Sequence, residues 1–362
     1  MKIEDFGYDS FFEASRNNLQ LGDFSVARVV TELKGAYRVR NESGEYLAKV
    51  TGKQVFKALS REDYPAVGDW VAISTLDDEH AVIQGLLPRR TMIKRRHGDK
   101  NRAGERRDVQ VIAANIDVAF VVESVDRDYN LNRFERYFAI ARDGGVAPAI
   151  ILNKIDLISP EELENRLREL KDRFPGVDMV LTSIVNDEGL DDLRGYLEPG
   201  KTYCFLGSSG VGKSSLINKL LGADSIRTGG ISSYSGRGKH TTTARQMYFL
   251  QSGAIVIDNP GMREVGMTDA SQGIDSFFNE VAALARACKY VNCTHTHEPG
   301  CAVIKAVESG SLDAGKYSNY VALRKEAEFY EMNDFERREK DRQFGKFIKT
   351  VKKELKNFGY ED

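Results

Sequence analysis

The sequence predicts a multidomain α/β chain: an N-terminal OB-like β-barrel, then a parallel sheet with helices on both faces, then a helical C-terminal part. Three observations predict it. Between Gly22 and about Pro88, five short apolar runs are separated by turn residues. From Val109, apolar runs alternate with amphipathic stretches. After about residue 270 the strand pattern stops, and the last 45 residues read as helical and highly charged. The length of 362 residues allows two to three domains at roughly 150 residues each. With 41% apolar and 29% charged residues, the chain is globular rather than disordered. A balance of 54 acidic and 52 basic residues excludes a uniformly basic nucleic-acid coat but allows a local basic face. Four cysteines exclude a disulfide-stapled scaffold. No apolar run is long enough to span a bilayer, and Met1–Asp5 does not begin a signal peptide. The expected partners therefore include no membrane, and the expected compartment is the cytoplasm.

The barrel strands are expected at Phe24–Val30, Ala36–Arg40, Tyr46–Val50, Trp70–Ser74 and Ala81–Leu86. Gly35, Asn41–Gly44, Gly68-Asp69 and Asp77-Asp78 punctuate them. Five strands in so short a span suit an OB-fold, with an SH3-like barrel as the rival. Residues 89–107 carry nine Arg and Lys against two acids and read as a flexible, phosphate-contacting connector. The next part should hold strands at Val118–Val122, Ala147–Leu152, Met179–Leu181, Thr202–Leu206 and Ala254–Ile257. Between them, Asn132–Arg142 and Pro160–Phe174 have helical spacing, the second with Pro in its first turn. Continuous apolar strands alternating with helices indicate a parallel sheet covered on both sides. One further amphipathic helix is expected at Asp275–Ala287. The domains are expected at 1–108, 109–272 and 273–362.

Residues 207–214 read Gly-Ser-Ser-Gly-Val-Gly-Lys-Ser, with an apolar strand before and a helical run after. This is a phosphate-binding loop: Gly207, Ser208, Ser209, Gly210, Val211, Gly212, Lys213, Ser214 and Ser215 present backbone N–H groups at a helix N-terminus. Lys213 would reach the β- and γ-phosphates, and Ser214 would hold magnesium. Asn153-Lys-Ile-Asp156 follows another strand. A carboxylate at Asp156 can accept two hydrogen bonds from guanine, a pair adenine cannot offer. Asn153 would hold the base loop, and the Lys154 stem would lie over the base. Thr182-Ser183-Ile184 is a weaker candidate for a second base loop. Asp258-Asn-Pro-Gly261 ends a third strand; Asp258 would hold magnesium through water, and the N–H of Gly261 would face a γ-phosphate. Lys239-His-Thr-Thr-Thr243 lies in a Gly/Ser-rich stretch, where Thr242, with Thr241 and Thr243 as alternatives, would complete the magnesium shell. Small GTPases usually carry the phosphate loop first. Here the base motif at 153 precedes the phosphate loop at 207, so the same site is assembled from a circularly permuted P-loop GTPase chain.

Cys288, Cys293, His295 and Cys301 fall within 14 residues. Three thiolates and an imidazole suit one structural, tetrahedral zinc with no open position; His297 is an alternative to His295. Cys204 precedes the phosphate loop and reads as a core thiol. Residues 337–356 carry nine basic residues against three acids, either facing RNA or forming a solvated helix face.

The motif order together with GSSGVGKSS, GRGKHTTT and DNPG resembles the ribosome small-subunit-dependent GTPase A (RsgA) family over nearly the whole chain. The resemblance implies GTP hydrolysis to GDP and phosphate stimulated by the small ribosomal subunit, a role in late subunit maturation, contact with rRNA and a structural zinc. A monomer is expected. Asn259 and Ile184 depart from the family's usual residues. Met262 follows Gly261 where many GTPases place a water-orienting Gln, so intrinsic turnover should be slow. His240 is then the candidate catalytic group beside Lys213, its alternative being an RNA or solvent contact. A second reading is a zinc-stabilised rRNA-binding protein whose nucleotide site regulates rather than catalyses. An ATP-dependent enzyme is disfavoured by Asp156.

Overall fold

The computed structural model describes residues 1–52, 58–96, 109–126, 129–222, 245–258 and 271–332, with residues 336, 339 and 342. The chain divides into two compact units. One comprises Met1–Gly266 with Gln272–Asn279, the other Met267–Ser271 with Glu280–Asp362.

In the first unit, β1 (Ser25–Leu33), β2 (Ala36–Arg40), β3 (Glu45–Val50), β4 (Trp70–Thr75) and β5 (His80–Leu86) form the barrel. Their order is β1-β2-β3-β5-β4, and β4 closes back on β1. β3 and β5 run parallel, the other pairs antiparallel. This is the OB topology, and it decides against an SH3-like barrel. Alternation along β1 explains the closure. Ala27 and Val29 point into a core with Val39, Ala48, Val71, Ile73 and Ile83. Val26 points the other way, into a second cluster built by Phe6, Tyr8, Phe12, Trp70 and Leu87. The N-terminal helix α1 (Ser10–Asn18), capped by the Asp9 side chain on the Phe11 N–H, supplies Phe12 to it.

The expected connector at 89–107 differs from its reading. Met92–Arg96 is a strand, β6, paired antiparallel with β7 (Val109–Ala114). The physical reason is that its first basic residues have partners within the protein. Arg89 grips the fully buried Asp69 through two bonds of 2.8 Å. Arg90 pairs with Asp9 at 2.6 Å and Lys94 with Glu62 at 3.1 Å. Arg89, paired with a buried carboxylate, is committed to the fold, while Arg90 and Lys94 form partly exposed pairs; residues 97–107 lie outside the described residues.

The nucleotide-type sheet follows. β8 (Val118–Ser124), β9 (Ala147–Asn153), β10 (Met179–Thr182), β11 (Thr202–Leu206) and β13 (Ile255–Asp258) are parallel, in the order β10-β9-β8-β11-β13. β12 (Gln246–Phe249) adds an antiparallel strand beside β13 and meets β1 through Thr31 and Gln246. Barrel and sheet are thus one eleven-stranded sheet, and by compactness the first two expected domains are one unit. Helix α2 (Leu131–Asp143) is capped by Asn130, and α3 (Pro160–Arg173) by a Ser159–Glu162 capping box. With α4 (Leu190–Tyr196) and α5 (Lys213–Leu221) they cover the strands, whose central residues are buried on both faces.

The expected single helix at Asp275–Ala287 is two, α6 (Ser271–Phe277) and α7 (Asn279–Ala285). α6 is held by α2: Arg142 donates to the Ser276 carbonyl at 3.2 Å, and Phe277 packs 5.4 Å from Phe138. The boundary between the units falls just past this break. In the second unit, α8 (Ala302–Glu308) and α9 (Ala314–Glu331) bury Val303, Leu323 and Ala327. Of the basic stretch 337–356, only Glu339 and Arg342 lie among the described residues.

Candidate active site and metal centre

Parallel strands bring their carboxyl ends to one edge of a sheet, and the predicted site residues collect there. Asn153 ends β9 in register with Ser124 of β8 and Thr182 of β10. Its side chain joins two loops. Nδ2 donates to the Val211 carbonyl at 2.8 Å, and Oδ1 accepts from Thr182 Oγ1 at 3.0 Å. The base-motif loop and the phosphate loop are therefore one rigid piece. The contact is so close that a Cβ on Gly212, whose φ is +102°, would lie 2.2 Å from Asn153 Nδ2. Only glycine fits at that position.

Beyond Asn153 the chain turns through Lys154, left-handed at φ 62°, into a single 3₁₀ turn that carries Asp156. Asp156 Oδ1 accepts from Ser183 Oγ at 2.5 Å. The weak candidate loop 182–184 is thus attached to the Asp156 carboxylate of the base motif. Lys154 Nζ is fixed by Asp126 at 3.0 Å, and Asp126 accepts in turn from Ser124 Oγ at 2.8 Å.

In the phosphate loop, Ser209 and Gly210 are exposed while Gly207 and Val211 are buried. Gly212 caps α5 in a left-handed conformation. The Lys213 ammonium folds back, donating to the carbonyls of Gly207 at 2.8 Å and Ser208 at 2.6 Å. Burial pushes its pKa down to about 8, against the pull of the Asp258 and Glu123 carboxylates. Asp258 is the last residue of β13 and is buried. Ser214 and Ser215 open α5 and are half-buried. Cys204 is fully buried in β11. Thr242, with its alternatives Thr241 and Thr243, as well as His240, Asn259, Gly261 and Met262, lies outside the described residues.

Three residues at this edge escaped the sequence reading. Glu123, fully buried near the end of β8, pairs with Arg133 of α2 at 3.0 Å. Tyr137, one turn further along α2, hydrogen-bonds the Ser208 side chain, so that helix buttresses the phosphate loop. Asp126 holds Lys154. The available signal was a lone acid at the end of a continuous apolar strand.

In the second unit, one ligand atom from each of Cys288, Cys293, His295 and Cys301 lies within 4.8 Å of all the others. Zinc–sulfur bonds of about 2.3 Å at tetrahedral angles require sulfurs about 3.8 Å apart. Cys288 and Cys301 sulfurs are 3.8 Å apart, and His295 Nδ1 lies 3.6 and 3.4 Å from them. The donor set and its spacing fit that ion. His295 reaches the cluster through a left-handed backbone, φ 60°, and its carbonyl accepts from Tyr317 Oη at 2.6 Å. His297 is exposed and bonds Thr296 instead.

A family model described as RsgA GTPase matches residues 86–268. The chain belongs to the RsgA GTPase family. An ABC transporter model also matches residues 190–355; that span shares the phosphate loop but omits the base motif at 153–156. The small ribosomal subunit biogenesis GTPase RsgA 2 of Lactiplantibacillus plantarum is 43% identical over 85% of this chain and 85% of its own. The RsgA 1 protein of Bacteroides thetaiotaomicron is 35% identical over 98% and 97%. The crystal structure of YjeQ from Thermotoga maritima is 26% identical, covers 82% of this chain and 96% of its own, and superposes with a TM-score of 0.61. That of YloQ, a circularly permuted GTPase, shares the fold at 23% identity over 86% and 97%, with a TM-score of 0.60. As an RsgA-family enzyme the protein is a GTP hydrolase, and its sheet is the permuted GTPase sheet. Among the described residues, no helix is long and apolar enough to cross a membrane.

Proposed function

We propose that this GTPase binds the small ribosomal subunit, hydrolyses GTP to GDP and phosphate when the subunit stimulates it, and acts late in that subunit's maturation. The observation that carries the reading is the Asn153 bridge. It fuses a guanine-selective loop to a phosphate loop in a chain whose relatives are named small-subunit biogenesis GTPases. Division of labour follows the sequence parts: 1–108 the barrel with its basic connector, 109–272 the nucleotide site, 273–362 the metal-bearing part.

In the site, Asp156 accepts the guanine N1–H and 2-amino protons, and Ser183 orients that carboxylate. On GTP binding the Lys213 ammonium leaves the loop carbonyls for the β- and γ-phosphates. Ser214, Asp258 and Thr242 would hold magnesium, which offsets charge on the leaving phosphates. The Gly261 N–H would be offered to the γ-phosphate. His240 accepts the proton of the attacking water as the bond from the γ-phosphorus to the bridging oxygen breaks. With Met262 unable to orient water, hydrolysis depends on the subunit to complete the site. The Cys3His centre is assigned to structural zinc, since all four vertices are protein ligands. The expected partners are the subunit with its rRNA and GTP or GDP; the protein acts as a cytoplasmic monomer.

The deciding measurement is GTP turnover by the purified protein with and without small subunits. Stimulation of at least tenfold supports the reading. Equal turnover in both conditions overturns it and favours the regulatory alternative.

A further inference from the structure

Strand β1 is fastened to the nucleotide sheet by side chains at two points, four chain positions apart. The first is Arg28, 1% exposed. Its guanidinium donates to the Phe6 and Gly68 carbonyls, to the Asn115 carbonyl at 3.0 Å and to Thr202 Oγ1 at 2.9 Å. Thr202 is the first residue of β11, so this anchor sits at the sheet edge opposite the phosphate loop. The second point is Glu32. Its carboxylate accepts from Arg245 at 2.8 Å and from Gln110 Nε2 at 3.3 Å, while Arg245 also reaches Gln110 Oε1 at 3.4 Å. Barrel, β6–β7 ribbon and nucleotide sheet meet in this triangle.

The position of the triangle gives it meaning. Arg245 directly precedes β12, whose first residue Gln246 pairs with Thr31 of β1 on one side and with Asp258 of β13 on the other. Asp258 therefore lies two strand spacings, about 10 Å, from the barrel wall. Among the described residues the ladder between β1 and β12 is the pair Thr31–Gln246, and the side chains of Glu32, Arg245 and Gln110 add to it at this end of β1. Arg245 is buried and Glu32 only partly exposed, which gives their ion pair more weight than a surface pair. The barrel wall is thus pinned at Arg28 and clamped at Glu32, two strand pairings away from Asp258.

We propose that the Glu32–Arg245–Gln110 clamp is a positioning device that transmits occupancy of the barrel to the Asp258 edge of the nucleotide site. Glu32 and Arg245 touch neither nucleotide nor metal; they act through β12. The inference rests on the reading that the small subunit stimulates turnover.

The test measures GTP turnover against small-subunit concentration for the wild type, Glu32→Gln, Arg245→Gln and the double variant. Thermal melting of each checks its fold. Both single variants are expected to lose at least tenfold in stimulated kcat, at an unchanged half-saturating subunit concentration. The double is expected to lose no more than either single, since one device has been removed once. A purely structural role would raise the half-saturating concentration or lower the melting point and leave the maximal stimulation intact. Stimulated wild type with equally stimulated single variants overturns the clamp alone, as does a double whose losses multiply. An unstimulated wild type overturns the functional reading and the clamp with it. Should Arg245→Gln fail to fold, Glu32→Gln and Gln110→Leu carry the same comparison.

Discussion

In the proposed site Lys213 serves the triphosphate as a cation, the form that its own surroundings disfavour. Its buried ammonium, held by two carbonyls, has a pKa pushed down to about 8. The unfolded chain keeps its proton up to the ordinary lysine range. Between those values the unfolded state binds more protons than the folded one, so stability without nucleotide rises as pH rises from about 8. GTP affinity moves the other way, because the competent form is charged: it should fall by up to about tenfold per pH unit above 8. Nucleotide titrations and urea midpoints at pH 7, 8 and 9, each compared with Lys213→Met, isolate this group. Both trends should vanish in the variant, and parallel trends in the wild type would show that burial is not the cause. At this scale the positions of the loops were legible because each motif follows an apolar strand and residues 207–214 also lead into a helix. Glu123, Asp126 and Tyr137 were not, since their roles arise from strand register and from where α2 lies against the phosphate loop.

At the level of elements, the capped helices and most of the expected strands were legible to within a residue or two, whereas β1 runs to Leu33, three residues past its expected end, and β7 was not expected as a strand. Asn130, Ser159 and Pro160 are start signals with direct geometric causes. β12 was missed: it has four residues, and neighbours on both edges rather than periodicity make it a strand. The start of the 89–107 stretch, 89–96, was misread because charge count says nothing about partners, and Arg89 faces a buried Asp69. β1 shows how much one residue can carry. Arg28 sits in an apolar alternation pattern, yet its hydrogen bonds go to neutral acceptors, the Trp70 ring lies 5.6 Å away, and the Asp117 and Asp69 carboxylates act on its charge without a direct hydrogen bond. Burial lowers its pKa to about 10. Replacing it by Met removes the buried charge but takes the side-chain donor from the Phe6 and Asn115 carbonyls, each costing about 1–3 kcal/mol, while the Gly68 carbonyl keeps Asn115 Nδ2. Arg28→Met should therefore be destabilised by about 2–4 kcal/mol in urea unfolding, and the barrel should loosen from β11. Hydrogen exchange at Thr202 and Tyr203 reads that loosening. Protection unchanged at those amides would mean that β12, not Arg28, holds the seam.

For the whole molecule, the division into two compact units makes a prediction about metal. The second unit is small, and its packing around Cys301 is organised by the cluster. Cys301 caps α8 through the Ile304 N–H, and Tyr317 of α9 bonds the His295 carbonyl. Without an ion, three thiols and an imidazole crowded within 4.8 Å repel as thiolates or lose their common centre as thiols. That unit should then melt first and separately. The nucleotide edge draws none of its described partners from there: Asn153, Lys154, Asp156 and Lys213 are all held by residues between 124 and 211. Chelation, or Cys301→Ser, should accordingly lower the first thermal transition by ten degrees or more on the scale expected when binding free energy is folding free energy. GTP affinity should stay within about threefold of the loaded protein, a change of less than about 1 kcal/mol. Calorimetry with and without chelator, alongside nucleotide titration on the same samples, measures both at once. If GTP affinity falls in step with metal loss, the two units depend on one another for folding, and the metal supports the nucleotide site as well as its own unit.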